Sequence, residues 1–177
     1  GSCGGGAPGW PAADSMVAAG AAMMMKTKKG GIVMAEPTVK APRHLWVVGI
    51  VAVLWNAIGV FDYSATQLRI ESYMSQFTEE QLAYFYGFPT WAVAAWAIAV
   101  WSSLLGSLAL LFRKVWAVGL FGLAIVAMVI TFVYNFLLSD GLSMMGAGGL
   151  IFTAIIWLIA FFLLFYARAM AKRGVLG

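Results

Sequence analysis

The sequence predicts an all-α polytopic membrane protein, with four transmembrane helices and a short helical external cap between helices one and two. Three features lead there. Four long apolar segments, 45–61, 91–112, 115–138 and 147–167, contain no Asp, Glu, Lys, Arg or His. A helix crossing the hydrocarbon core needs about 20 mostly apolar residues. The last three segments reach that length, and the first reaches it by extending through Tyr63. The chain has 177 residues, of which 63% are hydrophobic and only 10% charged. A soluble domain carries about 25% charged residues, so lipid must serve as solvent here. The apolar runs are continuous rather than alternating, which selects helices over barrel strands.

The first 33 residues differ in kind. They are rich in Gly and Ala with scattered Met, and lack the ordered regions of a secretory signal. Lys29-Gly30-Gly31-Ile32-Val33-Met34 can be encoded as AAA GGA GGT, two further codons and ATG, a bacterial ribosome-binding sequence before a start codon. The expectation is that Met34 is the natural start, with Met25 the second choice, and that residues 1–33 are a translated upstream leader. The other reading is a genuine disordered tail. The transmembrane domain is then 34–177.

Helix one is preceded by Lys40 and Arg43. Arg113 and Lys114 link helices two and three, and Arg168, Lys172 and Arg173 follow helix four. Asp62, Glu71, Glu79, Glu80 and Asp140 fall on the opposite side, with Arg69. The positive-inside rule therefore places both termini in the cytoplasm. The net charge of +4 needs no nucleic acid, since the basic residues from Lys40 onward sit beside the apolar segments as topology determinants do.

Between helices one and two, the composition of 64–77 lets helix one continue beyond the membrane. Thr78-Glu79-Glu80-Gln81 then reads as a capping box, with Phe77 and Leu82 placed as a hydrophobic staple. A short helix over 79–86 follows. Gly87 can end it, and Pro89 suits the start of helix two.

Helix one carries Asn56, Gly59, Asp62 and Tyr63 on overlapping stripes. Helix three offers Thr131, Tyr134 and Asn135 near its outer half. Asn56, Asp62, Tyr134 and Asn135 form the candidate polar site under the cap, for binding a solute or for packing. An amide in hydrocarbon normally faces protein, and packing is the favoured role for Asn56. Small residues mark close helix contacts: Gly59 in helix one, Ser102 and Gly106 in helix two, Gly119 and Gly122 in helix three. Helices two and three should form a tight antiparallel hairpin, although the same small faces would also suit a homodimer.

Cys3 is the only cysteine and His44 the only histidine. No nucleophile–His pair, phosphate loop or metal spacing is present. The expectation is a protein that is not an enzyme, has no catalytic or metal residues, and takes no cofactor.

The chain resembles small four-helix bacterial inner-membrane proteins often labelled "sugar transporter". The resemblance rests on Pro42-Arg43-His44-Leu45-Trp46-Val47-Val48-Gly49, on Leu54-Trp55-Asn56 through Asp62-Tyr63, on Tyr86-Gly87-Phe88-Pro89, and on Tyr166-Ala167-Arg168-Ala169-Met170. It covers 34–177, implies a multi-pass location in the bacterial inner membrane, and brings no established binding residues with it. Two functions are then open. One is facilitated passage of a small, sugar-like solute through an oligomer, since four helices enclose little water. Asp62 at the membrane edge argues against proton coupling through the bilayer. The other is a non-catalytic accessory or assembly subunit, docking a membrane-protein partner.

Overall fold

The structure, a computed structural model, describes residue 1 and residues 41–177. The leader expected over 1–33 and the start at Met34 lie outside the described residues. The described chain is all-α. It runs α1 (Arg43–Gln67), α2 (Glu71–Met74), α3 (Glu79–Tyr86), α4 (Thr90–Leu111), α5 (Trp116–Val133), a π-helical turn (Tyr134–Leu138) and α6 (Gly141–Lys172). Four helices are long and apolar enough to cross a membrane: α1, α4, α5 with its π-helical turn, and α6 from Gly146 onward.

Each span buries one narrow stripe. Along α1, Leu45, Gly49 and Ala52 are buried and Asn56 and Gly59 half-buried, while Val47, Val51, Leu54, Ile58 and Phe61 are exposed on the other face. The alternating steps of three and four residues keep each set on one side of the helix. An exposed stripe of large aliphatics suits lipid rather than water.

Helix one does not continue through residue 77. It stops at Gln67, where Arg69 takes a positive φ of 51°. The Ile70 amide donates to the Ala65 carbonyl at 3.0 Å, and the Arg69 amide to Thr66 at 3.2 Å. This pair of bonds is the Schellman ending, which favours glycine at the left-handed position. Arginine there costs about 1–2 kcal/mol. Its guanidinium lies 4.2 Å from the Tyr86 ring centroid, a cation–π contact that offsets about 0.5–1 kcal/mol at an exposed site.

The hairpin of α4 and α5 is the most extensively packed helix pair. The buried stripe of α4 includes Ala92, Ala95, Ala99, Ser102, Gly106 and Leu110, and that of α5 is Ala117, Phe121, Ala124 and Ala127. Gly106 faces the Phe121 ring, which would stand 3.1 Å from a Cβ at that position. Gly119 and Gly122 are a correction to the expected contact. A Cβ at either would meet nothing within 4 Å. The facing row of α5 consists of alanines and one phenylalanine, so its glycines fall off the seam. In helix one, a Cβ at Gly59 would find Val100 at an ordinary 3.9 Å, whereas one at Gly49 would stand 2.9 Å from Leu111. The close approach of α1 is therefore at Gly49.

At the end where α1 starts and α6 finishes, the chain folds back on itself. The α4–α5 turn places Arg113 at φ 60°, and α6 closes with Gly174 at φ 68°. Val175 donates to Met170 at 3.0 Å and Gly174 to Ala171 at 3.0 Å, a second Schellman ending. Residues 175–177 then lie along the α4–α5 turn. The Gly177 amide donates to the Arg113 carbonyl at 2.8 Å, Val115 donates to Gly177 at 3.2 Å, and Arg113 Nε donates to the Val175 carbonyl at 3.0 Å. Val175 and Leu176 are buried in an aliphatic core with Leu45, Leu110, Leu163, Ala167 and Met170.

Candidate functional site

The four polar residues expected to converge under the cap are divided among separate contacts. Asn56 Nδ2 donates to Ser107 Oγ at 2.9 Å and to the Ala52 carbonyl at 2.9 Å. The first bond joins α1 to α4. It is a packing contact in a region where apolar side chains gain nothing by leaving lipid. Asp62 lies at the cap end of α1 and accepts from the Tyr73 hydroxyl of α2. Burial, reinforced by this hydrogen bond and the neighbouring carboxylate, pushes the Tyr73 phenol up to about 12.

Asn135 is buried in the π-helical turn. Its Nδ2 donates to the Thr131 carbonyl at 2.7 Å, and its Oδ1 accepts from the Tyr84 hydroxyl at 2.6 Å. Tyr84 belongs to α3, so this bond fixes the cap helix to the end of α5. Ser139 Oγ lies 3.0 Å from the same hydroxyl. Burial raises the Tyr84 pKa, against the lowering effect of Ser139. Gly141 closes the knot. A Cβ there would collide with the Tyr84 hydroxyl and the Asn135 carbonyl, well inside 3.0 Å. Tyr134 contributes a ring rather than a polar group. It packs edge-on against Phe88 at 4.8 Å and Trp91 at 5.4 Å between centroids.

These contacts belong to a continuous aromatic seam. It runs from Phe61 through Tyr73, Phe77 and Phe85 to Phe88, which also meets Trp96 and Tyr134. Most of its pairs are edge-to-face, the arrangement the ring quadrupole prefers. The cap helix itself begins with the expected box: the Gln81 amide donates to Thr78 Oγ1 at 3.2 Å, and the Thr78 amide to Gln81 Oε1 at 3.1 Å. Trp96 is part of the seam, whereas Trp101 is exposed on the lipid-facing side.

No protein-family model, curated protein or solved structure matches the chain.

A small cavity sits among all four spans, beside Trp55, Asn56, Ser103, Phe121 and Ile159. Its volume is about 30 Å³, the share of one water molecule in the liquid. Asp62, Tyr134 and Asn135 do not line it. No group of three or more His, Cys, Asp or Glu side chains among the described residues is placed to hold a metal ion. Sequence reasoning did not pair the polar residues it singled out with Tyr73, Tyr84, Ser107 and Ser139. It also missed the bond between His44 Nδ1 and the Tyr166 hydroxyl at 2.6 Å, which ties the start of α1 to the end of α6. Aromatic and hydroxyl residues were visible, but their pairing depends on helix register across the bundle.

Proposed function

We propose that the chain is a non-catalytic accessory subunit of a membrane complex, an integral four-span anchor that holds an ordered cap at one membrane surface for a partner protein. The observation that carries this reading is the use made of the polar outer residues. Asp62 accepts a hydrogen bond from Tyr73, and Asn135 accepts one from Tyr84 of the cap. Those bonds position the cap, and neither residue lines the cavity beside Asn56.

The competing reading is facilitated passage of a small solute. A small-molecule site usually encloses about 300–1,000 Å³, far more than the space beside Asn56. A pathway of that kind would have to form between copies of the chain. The resemblance to small four-helix inner-membrane proteins supports a bacterial inner membrane. The asymmetry of Arg and Lys supports cytoplasmic termini and an external cap.

Two measurements on the full chain test the proposal. Extraction in gentle detergent should yield a stable complex with a second membrane protein, dependent on the cap. Purified protein in liposomes should pass no sugar above the protein-free rate. Solute flux by the purified chain, abolished by Asn56→Leu at unchanged abundance, would replace the accessory reading with the transport one. Reporter fusions after Gly177 and within 79–81 should report opposite sides of the membrane.

A further inference from the structure

We propose that the end of the bundle opposite the cap is an assembled binding surface for the phosphate of anionic phospholipids. This rests on the membrane placement but not on the choice between accessory and transport roles. The basic residues of this end come from three separate stretches: Arg43 in the first turn of α1, Arg113 and Lys114 between α4 and α5, and Arg168, Lys172 and Arg173 at the close of α6. Charge counting treats them as topology markers scattered over different loops. The fold ties the loops together. The hydrogen bond between His44 and Tyr166 joins the first stretch to the third. The strap at 175–177 joins the third to the second through three bonds with Arg113 and Val115.

Arg43, Lys114, Arg168, Lys172 and Arg173 are exposed, and Arg113 is half-buried with its Nε on the strap. No Asp or Glu side chain belongs to this end among the described residues. A chain-terminal carboxylate at Gly177 would subtract one charge and leave a large positive excess. Trp46 and Trp116, 50% and 73% exposed, lie at the same end. Indoles favour the headgroup level of a bilayer, which sets these cations at the depth of lipid phosphates. Each basic residue near an anionic surface contributes about 1 kcal/mol, or roughly fivefold in affinity.

The test uses the full chain in nanodiscs containing equal amounts of phosphatidylglycerol and phosphatidylcholine, with native mass spectrometry of the lipid retained on the protein. The expected result is enrichment of phosphatidylglycerol on the order of fivefold or more. Lys114→Gln with Arg173→Gln should reduce it severalfold, whereas Arg69→Gln at the cap end should leave it unchanged. Leu176→Asn releases the strap without altering side-chain charge, and should also reduce it. Equal retention of the two lipids would overturn the proposal. So would enrichment that survives Leu176→Asn, because scattered charge would then suffice. Displacement of the lipid by excess inorganic phosphate would assign the surface to a free anion and overturn the lipid assignment. Protein that never enters the nanodisc would overturn the membrane reading together with this one.

Discussion

The two ends of the bundle are held by different physics. At the cap end the fastenings are side chains reaching between elements: Tyr73 to Asp62, Tyr84 to Asn135, and a seam of edge-to-face rings. At the other end aliphatic packing and backbone bonds dominate, with Val175 and Leu176 folded under the α4–α5 turn, supplemented by the side-chain bonds of His44 to Tyr166 and of Arg113 to the Val175 carbonyl. Between them, inside the span, Asn56 and Ser107 supply a single hydrogen bond across α1 and α4. The difference follows from solvent. Near the membrane surface water is present, so burying rings and aliphatics is driven by the hydrophobic effect. Within lipid that force is absent, and close packing of small residues and interhelical hydrogen bonds take over.

The strap should show the largest effect. Leu176→Ala removes a buried side chain at 6% exposure, and buried Leu→Ala changes cost about 2–5 kcal/mol. The thermal midpoint in detergent should fall by several degrees, with new protease sensitivity at the α4–α5 turn and none in the cap. The cap end is challenged next by Gly141→Ala. Forcing a methyl between Asn135 and Tyr84 should cost about 1–3 kcal/mol. Cleavage should rise within 68–89 and not at the opposite end. Gly119→Ala and Gly122→Ala serve as controls, since their surroundings are open. Each should stay within about 0.5 kcal/mol of the parent.

Much of the fold was legible because its causes are local. Continuous apolar runs fixed four spans, and the Thr78–Gln81 box fixed the start of the cap helix. The end of α1 was not legible. Arg69 adopts a glycine-like conformation, and its cation–π partner Tyr86 is distant in sequence. The site was half legible. Asn56, Asp62 and Asn135 stood out because polar groups near hydrocarbon need partners. Which partners they find depends on helix rotation and on the π-helical turn at Tyr134–Leu138, and neither leaves a periodic trace. The strap did leave one: Gly174 in a terminating position, followed by apolar Val175, is the pattern of a Schellman ending with its hydrophobic contact.

A smaller effect is expected in the middle. Asn56→Leu removes the bond to Ser107, and interhelical hydrogen bonds in membranes average about 0.6 kcal/mol. Paired measurements of thermal midpoint and abundance should show a slight loss of stability at both ends alike. A pH effect is expected that is confined to the cap. The unfolded Tyr73 phenol titrates near 10.0 and the folded one near 12. Its stabilising contribution is complete below pH 10 and lost as pH rises through 12, because only the unfolded state releases the proton readily in that window. Protease sensitivity of the cap should increase over this range, and Tyr73→Phe should flatten the increase.

Amide hydrogen exchange across Glu79–Tyr86, compared between the parent protein and Tyr84→Phe, distinguishes a fastened cap from a loose one. The parent should protect these amides well beyond the rates of an isolated short helix. Tyr84→Phe should lose much of that protection, while amides of α4 and α5 stay as slow as before. Cap amides that exchange at unprotected rates in the parent, or that ignore the loss of the Tyr84 hydroxyl, would contradict an anchored cap.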